Sequence, residues 1–138
     1  MLKRKVYQEL LKWKENTEGK ALCIIGARQI GKTTLIREFG KNEYEHFAEI
    51  NFVTDEKAAD IFNDKLTAEA IITNLTAYLQ TPLEPGKTLI LFDEVQECPA
   101  VRSAIKFLVE DGRFDYIESG SLLGVRYKEV RSLSLIHI

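Results

Sequence analysis

The sequence predicts a single α/β domain in which helices cover both faces of a mainly parallel sheet. Short, continuous apolar runs at residues 21–25 and 88–92 are typical of strands that are buried on both faces. Segments with helical spacing of apolar residues lie between such strands. The length of 138 residues fits one domain, and a content of 45% apolar and 29% charged residues excludes a disordered chain.

The elements follow one another in a regular order. An amphipathic helix is predicted over residues 4–16, because Val6, Leu10 and Trp13 recur at helical spacing among charged residues. A strand over 21–25 leads into a glycine-bounded loop over 26–31 and a helix over 33–39, which Gly40 is predicted to end. The remaining predictions are a strand over 47–53, helices over 57–62 and 67–79, a Pro- and Gly-containing loop over 81–87, a strand over 88–92, a helix over 99–110 that begins at Pro99 and is ended by Gly112, and a strand over 114–117.

Composition narrows the classes of function. The formal net charge of −2 provides no global positive field for nucleic acid or anionic membrane. No apolar run approaches the roughly 18 residues that span a bilayer, and the basic N-terminus lacks the features of a secretory signal. Cys23 and Cys98 form no CxxC pair and have no histidine at metal-ligand spacing. We therefore predict a cytoplasmic protein with two reduced cysteines and no membrane partner.

The segment GARQIGKT, residues 26–33, matches the phosphate-loop pattern GxxxxGK[ST]. The predicted strand before it and helix after it supply the required context. Amides from about Arg28 onward would surround an anion at the positive end of a helix dipole. Lys32 is predicted to reach the β- and γ-phosphates, and the Thr33 hydroxyl to coordinate Mg²⁺. The predicted nucleotide-binding residues are Gly26, Ala27, Arg28, Gln29, Ile30, Gly31, Lys32, Thr33 and Thr34.

Two adjacent acids follow the apolar strand over 88–92, at the edge where parallel sheets bind ligands. Asp93 is predicted to hold Mg²⁺ through water, and Glu94 to act as general base or to orient the attacking water. A general base that is placed to activate water favours hydrolysis of the nucleotide over transfer of its phosphoryl group to a metabolite. The chain has no Asn-Lys-x-Asp motif for guanine. ATP and Mg²⁺ are therefore the predicted cofactors.

Four segments together resemble a family of prokaryotic ATPases in the AAA+ superfamily: GARQIGKTTLIREFG, EINF, TLILFDEVQECP and IESGSLLGVRYKEV. In that family, an N-terminal ATPase domain precedes a C-terminal domain of unknown function. The resemblance covers about residues 2–132 and implies a P-loop NTPase three-layer α/β/α sandwich. It also implies that a polar side chain in the Ser119-Gly120-Ser121 turn contacts the γ-phosphate or the attacking water. Ser119 and Ser121 both fit that role.

Several further candidate residues lie outside the phosphate loop and the acidic pair. Gln96 either reads the nucleotide state or faces solvent before a helix. Arg102 and Lys106 lie on one helical face and are predicted to be solvated. Val6 and Tyr7 are predicted to pack the first helix on the sheet rather than to line an adenine pocket.

The resemblance stops after Ser132, where the chain continues LSLIHI. These six residues are the translation of a transposon-end adapter of sequencing libraries, CTG TCT CTT ATA CAC ATC. Residues 133–138 are therefore predicted to be a non-native tail, and residues 1–132 an incomplete, C-terminally truncated AAA-type core. Such a core would lack a lid and an arginine finger. It is therefore expected to bind Mg-ATP but to hydrolyse it about 10³-fold or more slowly than an ATPase that has an arginine finger.

The sequence leaves two classes of function open. In the first, ATP hydrolysis drives or gates an unknown partner. In the second, the chain is a nucleotide-gated DNA- or protein-binding module with little hydrolysis of its own. Either partner would bind through the missing C-terminal region. The sequence gives no indication of the oligomeric state.

Overall fold

The computed structural model describes residues 2–16, 19–25, 31–63, 65–120 and 133–137. Helices and strands alternate along these ranges, as the sequence predicts. The elements are α1 Leu2–Glu15, β1 Ala21–Ile25, α2 Lys32–Glu43, β2 His46–Asn51, a 3-10 helix Glu56–Phe62, α3 Ala68–Leu79, β3 Thr88–Asp93, a 3-10 helix Val95–Glu97, α4 Pro99–Asp111, β4 Asp115–Gly120 and β5 Leu133–His137.

The five described strands form one sheet in the order β2-β3-β4-β1-β5. Every pair of neighbours is parallel, which confirms the prediction of a parallel sheet. Parallel strands bring all their carboxyl ends to one edge. Asp93 of β3 is therefore in register with Asn51 of β2 and Ser119 of β4, and Ser119 is in register with Ile24 of β1. The carboxyl-terminal parts of four neighbouring strands thus meet within one row.

Helices cover both faces of the sheet. On one face, Leu10 of α1 and Phe39 of α2 pack in a buried cluster with strand residues such as Leu22. On the other face, α3, α4 and the longer 3-10 helix contribute to a second cluster that includes Ile71 and Phe92. The alternation of strand side chains between these clusters explains why the strands are apolar throughout. The predicted three-layer α/β/α sandwich is confirmed.

Gly40 does not end its helix, contrary to the prediction. Helix α2 continues to Glu43 and ends where Tyr44 becomes extended, at φ −127° and ψ 153°. Gly40 is buried inside the helix, and a Cβ at this position would overlap the ring of Phe47 on β2. Glycine is therefore required here for close packing of helix on strand. Gly112, in contrast, ends α4 in the left-handed conformation, as predicted.

Two strand boundaries also differ from the prediction. Strand β2 ends at Asn51, not Val53, because the Asn51 Oδ1 accepts hydrogen bonds from the amides of Val53 and Thr54 and so turns the chain. Strand β4 extends to Gly120, past the predicted end at 117. Its polar residues stay in the sheet because neighbouring strands pair with them on both sides.

Residues Leu133–His137 pair with β1 along its whole length. Strand pairing depends on an extended backbone and carries no information on the origin of the DNA, so the adapter origin of residues 133–138 stays a prediction. Among the described residues, no helix is long and apolar enough to cross a membrane.

Candidate active site

The N-terminus of α2 lies at the carboxyl edge of the sheet. Gly31 caps it in the left-handed conformation, at φ 66° and ψ 22°, with no side chain to occupy the amide end of the helix. The next residue, Lys32, is buried although it is charged. Its Nζ donates a hydrogen bond to the carbonyl oxygen of Gly120 at 3.0 Å. A buried cation therefore lies between the start of α2 and the end of β4.

Thr33 and Asp93 are joined directly across the site. The Thr33 Oγ1 donates a hydrogen bond to the Asp93 Oδ2 at 3.1 Å. The two residues are 60 positions apart in the sequence, and the strand–helix packing brings them together. The other oxygen of Asp93 accepts from the backbone amide of Glu94 at 2.9 Å. The carboxylate is thus fixed by two hydrogen bonds from different elements.

Burial raises the pKa of Asp93 above its ordinary value, and the nearby negative charge of Glu94 raises it further. The hydrogen bonds from Thr33 and from the Glu94 amide, together with the charge of Lys32, oppose this rise. A buried carboxylate beside a hydroxyl is a donor set that suits Mg²⁺, which accepts few protein oxygens and completes its shell with water and phosphate. The described residues contain no group of three or more His, Cys, Asp or Glu side chains that could hold a metal ion.

Glu94 has an unusual backbone conformation. It lies in the left-handed region at φ 56° and ψ 46°, one of two non-glycine residues with positive φ in the described part of the chain. This conformation costs a non-glycine residue about 1–2 kcal/mol. Strain of this kind is concentrated at functional sites. At Glu94 the chain turns away from the direction of β3, immediately after Asp93. Glu94 is the N-cap of the short 3-10 helix Val95–Glu97.

Ser119 lies within β4 rather than after it, which corrects the predicted boundary. Its register partners are Asp93 on β3 and Ile24 on β1. The side chain is 0% exposed, and its Oγ has no hydrogen-bond partner among the described residues. Buried hydroxyl groups are normally paired, so an orphan beside the acidic residue needs a functional explanation.

Several predicted site residues lie outside the described residues: Gly26, Ala27, Arg28, Gln29, Ile30 and Ser121. Their roles stay predictions. Thr34 is exposed in the first turn of α2. The structure brings together Lys32, Thr33, Asp93 and Ser119 at one edge, with Glu94 immediately after them. Combined with a helix N-terminus, this edge can hold a polyphosphate and a divalent cation.

A family model described as an AAA domain matches residues 18–134. The chain belongs to the AAA domain family. The resemblance to the AAA+ superfamily drawn from the sequence is thereby confirmed. Caenorhabditis elegans PCH-2 is a similar solved structure, with a TM-score of 0.58 at 12% sequence identity. The match covers 99% of this chain but only 42% of that chain, and it supports the fold. No match was found among the curated proteins.

AAA domains are nucleotide-binding domains and are generally ATPases, which assigns this chain to that class at a coarse level. The AAA domain also contains a buried ion pair that the sequence analysis missed. The Arg102 Nη2 of α4 donates to the Glu118 Oε1 of β4 at 3.1 Å, and Glu118 is 0% exposed. The prediction that Arg102 is solvated is therefore wrong, whereas Lys106 is exposed as predicted.

The Glu118–Arg102 pair lies on the sheet face opposite to α2. Burial raises the pKa of Glu118 to about 7, although the charge of Arg102 opposes the rise. Cys23 is the register partner of Glu118 on β1, and burial raises the pKa of its thiol. Once β4 is known to extend to Gly120, the side-chain alternation places Glu118 on the same buried face as Tyr116.

Gln96 of the AAA domain contacts one of the predicted catalytic residues. Its Nε2 donates to the Glu94 Oε1 at 3.0 Å, and its own Oε1 is buried. The solvent-facing alternative for this side chain is therefore wrong. Val6 is buried in the cluster that joins α1 to the sheet, as predicted. The ring of Tyr7 instead meets that of Phe39 on α2 at 5.7 Å.

Proposed function

We propose that this AAA domain binds Mg-ATP and hydrolyses it, and that the nucleotide drives or gates contact with a partner. The observation that carries the proposal is the hydrogen bond between Thr33 and Asp93, with the buried ammonium of Lys32 beside it. A hydroxyl and a carboxylate at hydrogen-bond distance, at the start of a helix, are the protein groups that a Mg-nucleotide requires.

Each group has a proposed role. The amide end of α2 and the loop over 26–31 bind the phosphates, and Lys32 neutralises charge on the β- and γ-phosphates. Thr33 and Asp93 would hold Mg²⁺, Asp93 through water. When bound, the ion neutralises charge that develops on the phosphate oxygens.

The chemical step uses the residues at the ends of β3 and β4. Glu94 accepts a proton from the water that attacks the γ-phosphorus, and the bond to the leaving oxygen of ADP breaks. Ser119 supplies a hydroxyl to the γ-phosphate or to that water. Its buried, unpaired Oγ among the described residues supports this choice, and Ser121 stays the alternative.

The test of nucleotide binding is a titration of a fluorescent ATP analogue in Mg²⁺ and in EDTA. Lys32→Ala is expected to weaken binding about 10- to 150-fold, because a hydrogen bond to a charged group contributes about 1.5–3 kcal/mol. Lys41→Ala, an exposed lysine at the other end of α2, is the matched control and should bind as the wild type does. Equal affinity of the wild type and Lys32→Ala would refute the phosphate-loop assignment.

We also propose that residues 1–132 are the native part of this chain, an incomplete AAA core, and that residues 133–138 are derived from an adapter. Sequencing the source gene past the codon for Ser132 is expected to show an open reading frame that continues differently. A gene that encodes LSLIHI followed by a stop codon would contradict this.

A further inference from the structure

We infer that Gln96 is a positioning residue that fixes the carboxylate of Glu94 for proton transfer. The inference rests on the proposed function, because it assigns a second residue to the proposed base. Its main observation is the hydrogen bond from the Gln96 Nε2 to the Glu94 Oε1 at 3.0 Å. The opposite orientation of the amide would place two oxygens against each other, so the carboxylate sets the orientation of the amide.

The backbone holds both partners of this hydrogen bond. Glu94 and Gln96 flank Val95, which is buried and begins the 3-10 helix Val95–Glu97. Within this turn the amide of Glu97 donates to the carbonyl oxygen of Glu94 at 3.1 Å, and that of Cys98 to Val95 at 3.0 Å. The turn is therefore anchored to the core beneath it and closed by its own hydrogen bonds. A side chain mounted on it has a fixed origin from which to reach Glu94.

A hydrogen bond from Gln96 matters because a glutamate side chain has several rotatable bonds, and the hydrogen bond restrains the carboxylate at their far end. Proton transfer requires the carboxylate to be within about 0.5 Å of the productive position. If the side chain is ordered before the reaction, the loss of its conformational entropy no longer adds to the activation barrier. The left-handed backbone of Glu94 sets the start of the side chain, and Gln96 restrains its end.

The other end of the Gln96 amide supports a role beyond packing. Its Oε1 is buried and has no hydrogen-bond partner among the described residues. An unpaired buried acceptor is unfavourable, and an apolar side chain of similar shape would avoid it. The hydrogen bond that its Nε2 donates to Glu94 therefore explains why an amide side chain is present here.

The test measures single-turnover hydrolysis of ATP by an excess of the full chain, together with the affinity for Mg-ATP. Gln96→Met keeps the length of the side chain and removes the donor. It is expected to slow hydrolysis about tenfold and to leave the affinity within about twofold, since the lost bond acts on the base and not on the phosphates. Glu97→Ala, an exposed neighbour on the same turn, is the matched control and should hydrolyse at the wild-type rate.

A double-mutant cycle separates positioning from packing. If Gln96 acts through Glu94, Gln96→Met should have no further effect in the Glu94→Gln background. Equal slowing in both backgrounds, or wild-type hydrolysis by Gln96→Met, would overturn the inference and leave the proposed function intact. Unchanged hydrolysis by Glu94→Gln alone would instead remove Glu94 as the base, and the role of Gln96 with it.

Discussion

Glu94→Gln is expected to lower the rate of ATP hydrolysis by about 10²- to 10⁴-fold while the affinity for Mg-ATP stays near that of the wild type. The range is the usual contribution of a positioned general base. Glutamine has the shape of glutamate, and its carbonyl oxygen can still accept the hydrogen bond from Gln96. The substitution therefore removes proton acceptance and little else.

Separate measurements of binding and turnover decide this prediction. Affinity is measured with the fluorescent ATP analogue, and hydrolysis with an excess of protein over radiolabelled ATP, which detects slow turnover. Glu97→Gln makes the same chemical change at an exposed position on the adjacent turn and serves as the control. A loss of affinity parallel to the loss of rate would show that Glu94 supports binding of the nucleotide. Unchanged hydrolysis would exclude it as the base.

The residues proposed to contact the nucleotide could be found from the sequence because their signals are local. The phosphate loop and the acidic pair each occupy a few consecutive residues, and each follows a buried apolar run. The fold brings Thr33 to Asp93 as expected, since a parallel sheet places the ends of β1 and β3 at one edge. Local chemistry and the rule for parallel strands were sufficient to predict that Thr33 and Asp93 lie together, and the nucleotide contacts stay a prediction.

Gly40 shows where local reasoning failed. A glycine after a run of helical residues usually ends a helix, and nothing within the helix itself indicates otherwise. The deciding contact is with Phe47 on β2, where the absence of a Cβ allows the helix to approach the strand. The preference of glycine for helix ends was overridden by a tertiary contact.

The Glu118–Arg102 pair was missed for a related reason. A glutamate near a Gly-Ser turn is normally solvated, and an arginine on a helix that follows Pro99 is normally exposed. Burial of Glu118 depends on β1 and β3 extending far enough to pair with β4 on both sides. When neighbouring strands determine where a strand ends, its own residues do not show the position of that end.

Glu118→Gln is expected to change how stability depends on pH. Burial raises the pKa of Glu118 from its ordinary 4.5 to about 7 in the folded chain. Between these two values the folded state holds a proton that the unfolded state releases. The contribution of this group to stability is therefore fully present below pH 4.5 and is lost as the pH rises through about 7. At about 1.4 kcal/mol per pH unit, the loss amounts to about 3 kcal/mol.

Glutamine resembles the protonated carboxyl group at every pH and removes this loss. The free energy of unfolding of Glu118→Gln, minus that of the wild type, should therefore increase by about 3 kcal/mol from pH 4.5 to pH 8. Urea unfolding at a series of pH values measures this difference, in which the titration of all other groups cancels. Glu110→Gln, at an exposed position on α4, provides the baseline for removing a surface charge.

The sign of the change distinguishes two physical accounts of the Glu118–Arg102 pair. If the difference in free energy of unfolding increases with pH, removing the Glu118 carboxylate from water costs more than its attraction to the Arg102 guanidinium contributes, as is often the case for buried ion pairs. A decrease means that Arg102 outweighs burial, so that the ionised form stabilises the contact between α4 and β4. The first account makes the end of β4, next to Ser119, less stable at high pH, and the second makes it less stable at low pH. The unfolding series therefore also predicts in which direction a change of pH should loosen the strand that carries Ser119.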